Sequence, residues 1–220
     1  MDTTAAKRAI YARIRKAQGR SDQVTDDEKR AVQEYLRRHP QGPRPQVGPD
    51  LKMHFRQQAE RMADTVDEVP GMENVPVAVT GYLDSIGVAR RAIAWNTLRE
   101  LPWPAAGMGV EFRPPVDADR VGITGCFCAL AETGTLMLLS GPDTFPSASL
   151  LPETHIAIVP ASRIVAGMED AFALAREERG ELTRATNFIS GPSRTADIEQ
   201  TIVLGAHGPY RVHVIIVNGR

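Results

Sequence analysis

No lysine occurs beyond position 52: Lys7, Lys16, Lys29 and Lys52 are the full set in 220 residues. Past that point neither a Schiff-base lysine nor the phosphate lysine of a Walker-type loop is available. Cysteine is scarcer still, with only Cys126 and Cys128. Two cysteines cannot supply the four thiolates of an iron–sulfur cluster, so this chain by itself holds none. On an extended segment a C-x-C pair places both thiols on one face. That is half a metal site or, as favoured here, two small buried strand residues; no metal site and no cofactor are expected in the chain. No apolar run approaches the ~20 residues of a membrane span. The N-terminus, MDTTAAKRAIYARIRKAQ, is basic but lacks the apolar core of a signal peptide, so the expected location is cytoplasmic. A net charge of -1 gives no electrostatic reason to expect nucleic acid or an anionic membrane as a partner.

What is present is unevenly spread. Residues 1–70 hold 14 Lys+Arg against 11 Asp+Glu, whereas the remaining 150 hold 12 against 16. Helical spacing of Ala6, Ile10, Ile14 and Ala17 predicts a helix over 3–18. Thr25 and Glu28 stand in capping-box spacing ahead of Val32 and Leu36, which predicts a second. After the Pro/Gly-rich PQGPRPQVGPD, a third helix is expected over LKMHFRQQAERMADTVDEV, with Asp50 as its cap. Residues 1–69 therefore read as a helical N-terminal extension, able to cover the main domain or a partner chain.

From about residue 70 the character changes. ENVPVAVTGYLDSIG predicts a helix with Pro76 in its first turn and Gly87 near its end. Short apolar runs then alternate with turns and one helix: RRAIAW, VGITGCFCAL, GTLMLL, HIAIVP, AGMEDAFALAREERG, NFIS and RVHVIIV. This pattern predicts an α/β domain over 70–220 with a mostly parallel central sheet flanked by helices.

Two polar stretches carry the candidate chemistry. In ISGPSRTADIEQTIVLGAHGP, residues 189–209, a strand ends, a Ser/Gly loop turns, and Ile198 and Ile202 have helical spacing. A helix starting there would aim free N–H groups and its positive dipole end at the loop, a good place for an anion. Ser193 and Thr195 add hydroxyls and Arg194 a forked cation suited to a carboxylate or phosphate. The competing reading makes Ser193 an ordinary N-cap and Asp197 and Glu199 ordinary first-turn acids. The second stretch holds Thr124-Gly125 and Glu132-Thr133-Gly134-Thr135. Glu132 is an acid inside an otherwise uncharged run from Val121 to Gly141; it is either a solvated turn residue or a paired, functional carboxylate. His155 and His213 sit in strand-like runs and read as core histidines. His207, between residues of a GAHGP loop, is free to face a cleft for acid–base work, or is simply part of the turn.

VGITG…ALAETGTLMLL, SLLPETHIAIVP and ISGPSRTADIEQTIVLGAHGPYRVHVIIV together resemble the lactate-utilisation protein C family of single LUD-domain proteins. SGPSRTADIE followed by GxHGP is the specific part of that match; ETGT or SLLP alone is weak. The resemblance covers roughly residues 70–217, and the N-terminal helices fit the family's usual beginning. It implies a fold similar to the sugar-phosphate isomerase, CoA-transferase and formyltetrahydrofolate cyclo-ligase group. It also implies a role in oxidising L-lactate to pyruvate with two iron–sulfur partner subunits. The motif positions it marks are Thr124, Gly125, Glu132, Thr133, Gly134 and Thr135; Ser190, Gly191, Ser193, Arg194 and Thr195; Asp197 and Glu199; and Gly205, His207, Gly208 and Pro209. Of these, Glu132, Asp197 and His207 are the candidates for handling protons. The others are candidates for holding a small anion, lactate or pyruvate, or a phosphate ester. One departure stands out: no arginine lies between Gly134 and Ser149, where relatives often place basic residues before SLLP. Two other readings remain open, an independent enzyme acting on a phosphate or nucleotide ester and a non-catalytic scaffold subunit.

Overall fold

The computed structural model describes residues 3–21, 23–195 and 203–219. It forms two compact units, Met1–Arg44 and Pro45–Arg220. The first holds helices α1 (Thr4–Ala17) and α2 (Asp26–Arg38). The capping box read from the sequence opens α2: the Thr25 hydroxyl accepts from the Glu28 N–H at 3.2 Å, and the Thr25 N–H donates to the Glu28 carboxylate at 2.9 Å. Neither helix buries a residue. Their apolar stripes, Ile10 and Ile14 on α1 and Val32 and Leu36 on α2, are exposed.

The second unit is built on a six-stranded sheet of β1 (Thr65–Val69), β12 (Arg211–Val217), β7 (Thr154–Pro160), β4 (Val121–Gly125), β2 (Arg91–Ala94) and β3 (Gly109–Glu111), in that spatial order. Every neighbouring pair is parallel. Such a sheet is buried on both faces, which is why THIAIVP and RVHVIIV are buried almost throughout and carry apolar residues at both parities rather than alternating. Helix α4 (Val75–Ser85) covers one face, where Tyr82 stacks on His213 with ring centroids 3.8 Å apart. Helix α3 (Leu51–Arg61) lies against the sheet edge, pairing Lys52 and Arg56 with Glu68 of β1.

A smaller second sheet follows the order β8 (Ile164–Val165), β5 (Cys128–Leu130), β6 (Thr135–Leu139) and β9 (Thr186–Ile189). Its alternation explains the uncharged central stretch. Ala129, Leu136 and Leu138 pack into the main core, while Cys128, Leu130, Met137 and Leu139 pack with Ala171 and Ala175 of α5 (Met168–Arg179). A two-stranded ribbon joins β10 (Arg194–Thr195) to β11 (Val203–Leu204). Among the described residues no helix is long and apolar enough to cross a membrane.

Four expectations are corrected here. The third helix stops at Arg61 rather than 69; the chain turns through Ala63 at φ 73° and re-enters as β1, because Thr65–Val69 pairs with His213–Val217 and buries Val66 and Val69. The unit boundary consequently falls at residue 44 rather than 69, since α3 and β1 belong to the sheet-bearing unit. No helix begins at Arg194, which is extended and paired with Leu204. Cys126 lies in the break between β4 and β5 instead of within a strand. Its side chain packs on the main core while Cys128 faces α5, so the two thiols do not share a face.

Candidate functional site

The two motif stretches meet at the C-terminal end of α3. In the β5–β6 turn, Gly134 has φ +66° and rests on the backbone of Gln58 and Ala59; a Cβ there would run into that backbone. Gly191, at φ +78°, rests in the same way on Met62. Both positions need glycine twice over, for the left-handed backbone and for the close approach. Pairing of Leu136 with Ile189 then sets the Glu132–Thr135 turn beside the loop that starts at Ser190. The GAHGP loop folds back on it: the Ser193 N–H donates to the Pro209 carbonyl at 2.8 Å, and the Gly205 N–H donates to the Ser193 carbonyl at 2.9 Å. Gly208 lies against Ser193 and leaves His207 exposed.

Arg194 reaches from this loop to the end of α3, where its Nη2 donates to the Met62 carbonyl at 2.9 Å. A cation is favourable there, because the last carbonyls of a helix have no intrahelical partner. Directly after that turn comes Asp64, which is 6% exposed. Neither oxygen of its carboxylate has a hydrogen-bond partner among the described residues. Burial pushes its pKa up to about 7, against the downward pull of the Arg194 guanidinium. Arg194 thus has an acidic neighbour, but the neighbour is Asp64. Among the described residues no ion pair joins Arg194 to Glu132.

Beside Asp64, the exposed Thr65 and Asp67 and the half-buried Tyr82 surround the buried ring of His213. His213 hydrogen-bonds Thr65 Oγ1 through Nδ1 at 2.8 Å, and its Nε2 stands 3.6 Å from the Asp67 carboxylate, too far for a hydrogen bond. Burial lowers its pKa to about 4, so the ring is neutral at physiological pH. The Tyr82 hydroxyl is pushed up by burial and, to a smaller extent, by Asp64 and Asp67.

The remaining motif positions fall as follows. Glu132 is half-buried, its N–H donates to the Ala166 carbonyl at 2.9 Å, and its carboxylate makes no hydrogen bond among the described residues. Thr133 and Thr135 share a hydroxyl–hydroxyl bond of 2.7 Å. Ser190 is exposed, and Thr195 pairs with Val203 in the ribbon. Asp197 and Glu199 lie outside the described residues. Thr124 is not at the junction; it is fully buried in the central sheet, 2.8 Å from His155 Nε2. Gly125 ends β4 beside the ring of Trp95. His155 and His213 are both buried, as read from their strand positions. Asp64 was hidden from sequence reasoning because it sits inside a segment whose apolar spacing continues that of α3.

Fold and junction together define an α/β domain in which a glycine-seated arginine loop closes over an isolated buried acid. Comparison with known proteins places it further. The LUD domain family model matches residues 52–217, and the chain belongs to this family. It is 40% identical over 121 residues to lactate utilization protein C of Bacillus licheniformis, covering 54% of this chain and 50% of that one. To the protein of the same name from Shouchella clausii it is 46% identical over 102 residues, covering 46% and 44%. The chain spans about half the length of the curated relatives it matches. A crystal structure of a DUF162 family protein from Deinococcus radiodurans superposes with a TM-score of 0.60 at 27% identity, covering 79% of this chain and all of that one.

Proposed function

We propose that this chain serves lactate utilisation as a cytoplasmic subunit of a system that oxidises L-lactate to pyruvate beside iron–sulfur partner subunits. Its contribution is the anion-handling site at the end of α3. The observation that carries this reading is the buried Asp64 carboxylate, without a hydrogen-bond partner among the described residues, next to the Arg194 guanidinium. Lactate offers a carboxylate for the forked cation and an α-hydroxyl for the acid. Conversion to pyruvate releases two electrons and two protons. The electrons need an acceptor, and with two cysteines in the chain that acceptor belongs to the partners. The curated relatives named for lactate utilisation support the lactate part of this reading.

The test is reconstitution of lactate oxidation from this chain and its purified iron–sulfur partners. Omitting the chain should abolish turnover, and Asp64→Asn or Arg194→Met should lower it at least tenfold, a loss of ~1.4 kcal/mol or more. Equal turnover without the chain would end the proposal. A second reading, an assembly subunit without chemistry, is favoured by the exposed apolar stripes of α1 and α2. In that case both substitutions leave turnover intact while deletion of residues 1–44 abolishes it.

A further inference from the structure

The total charge of -1 hides a division between the two units. Residues 1–44 carry 11 Lys+Arg against 6 Asp+Glu, whereas residues 45–220 carry 15 against 21. Exposed charges act over a screening length of ~8 Å at physiological ionic strength, so a partner answers to the local surplus rather than to the total. That surplus sits on α1. Its charged residues are Lys7, Arg8, Arg13, Arg15 and Lys16, and none is acidic. In α2, by contrast, every acid has a cation: Asp26 with Lys29, Asp27 with Arg30, Glu34 with Arg37 and Arg38, and Glu28 with Arg20.

The same helix has an open apolar stripe. Ala6, Ile10, Ile14 and Ala17 recur at helical spacing and none is buried; Ile10 is 56% and Ile14 45% exposed. At ~100° per residue, Lys7 and Arg13 lie about 60° to either side of Ile10, along both borders of the stripe. Arg8, Arg15 and Lys16 turn away from it. Tyr11, also exposed, stands beside Lys7, whose Nζ is 5.8 Å from the ring centre. Its apolar ring and polar tip suit a boundary between apolar and aqueous phases.

We propose that α1 is an interfacial anchor that lies on an anionic phospholipid surface, with Ile10 and Ile14 at the acyl boundary and its cations among the headgroup phosphates. This inference does not depend on the lactate reading. The arrangement favours lipid over two other anionic occupants. A nucleic acid has phosphates but no apolar layer to receive Ile10 and Ile14. An acidic groove on a protein would pair with Lys7 and Arg13 beside the stripe and leave Arg8 and Arg15 outside, whereas the diffuse field of a charged bilayer draws on all five cations. Two isoleucines make a small apolar contact, so charge supplies most of the hold and neutral lipid should not retain the chain. Lying on a surface also supports a helix of 14 residues, a length that is marginal in isolation.

The test is sedimentation of the full chain with vesicles of phosphatidylcholine alone and of phosphatidylcholine mixed equally with phosphatidylglycerol. At about 0.1 M salt the chain should sediment with the mixed vesicles only, and at about 1 M, where the screening length falls to ~3 Å, it should be released. Lys7→Glu combined with Arg13→Glu should weaken binding at least tenfold. Ile10→Ser combined with Ile14→Ser keeps every charge and should weaken it at least threefold. Both double variants should keep the melting temperature of the parent, because no residue of α1 is buried. The proposal is overturned if the chain stays in solution with mixed vesicles at about 0.1 M salt, if neutral vesicles retain it equally, or if the charge-reversed variant binds unchanged. It also fails if the serine variant binds as tightly as the parent, or if random duplex DNA at equal phosphate strips the chain from the vesicles.

Discussion

Arg194 stands beside the buried carboxylate of Asp64, yet its Nη2 donates its hydrogen bond to the Met62 carbonyl, at 2.9 Å. The acid is left without a hydrogen-bonding partner among the described residues, and this makes its charge costly. A ligand carboxylate approaching Arg194 adds a second negative charge to that neighbourhood and favours the protonated form of Asp64. Binding of lactate or pyruvate near pH 7.5 should therefore take up protons. Calorimetry in two buffers of different ionisation enthalpy measures that uptake, and the Asp64→Asn protein should show none.

Asp64 also controls stability. Its folded pKa, about 7, lies above the ordinary value of 3.8, so the native state holds a proton that the unfolded chain releases. Stability from this group is full below about pH 4 and is lost as pH rises toward 7, by on the order of 4 kcal/mol at most. Urea unfolding of Asp64→Asn between pH 5 and pH 8 should lack this downward slope. An unchanged slope would show that the acid is already ionised in the native protein.

His155 and His213 act in the opposite sense. Burial depresses them to about 3 and about 4, below the ordinary 6.5, so they stay neutral in the folded protein while the unfolded chain protonates. Their contribution is present above pH 6.5 and falls away as pH drops through 6.5 toward those values. His155→Leu should reduce the acid sensitivity by part, with His213 retaining the rest. At neutral pH, Thr124→Val should cost roughly 1–3 kcal/mol by stranding His155 Nε2.

Three glycines with nearly the same left-handed φ separate strain from contact. Gly87, at φ +67° in the C-cap turn of α4, has open space within 4 Å of where a Cβ would stand, so Gly87→Ala should cost only about 1 kcal/mol of backbone strain. Gly134→Ala and Gly191→Ala meet the α3 backbone as well, and each should cost about 2 kcal/mol or more beyond that. Denaturant midpoints give the ranking directly. Equal losses at all three positions would mean that the α3 junction yields freely.

Deletion of residues 1–44 removes two helices, none of whose own residues is buried. The remaining protein should melt within a few degrees of the full chain, as a loss under ~1 kcal/mol implies. A large drop in melting temperature would show that these helices stabilise the sheet-bearing unit.

Much of the fold was legible because burial on both faces leaves a plain mark. THIAIVP, RVHVIIV and TLMLL could only be interior strands, and Pro76 and Gly87 bracket α4. TVDEV was misread because two of its five residues are acids and Val66 continues the helical spacing of Phe55 and Met62. Its strand character comes from His213–Val217, far along the chain. Arg194–Thr195 was misread for a similar reason, since its partner Val203–Leu204 lies beyond residues whose isoleucines have helical spacing. Motif residues alone left open whether the Gly134 and Gly191 loops meet; both rest on the end of α3, a contact that only tertiary structure makes. Asp64 left no local signal: what isolates it comes from Arg194 and Tyr82, which only tertiary structure brings near.

The position of β12 between β1 and β7 governs how the protein is born. Both neighbours leave the ribosome before it does, and they stay apart until it slots between them. Thr65 meets His213 only after a loop of 148 residues closes, a separation that slows folding. During synthesis the unpaired backbone edges of β1 and β7 are open to other chains, so nascent copies should lean on chaperones until β12 seals the gap.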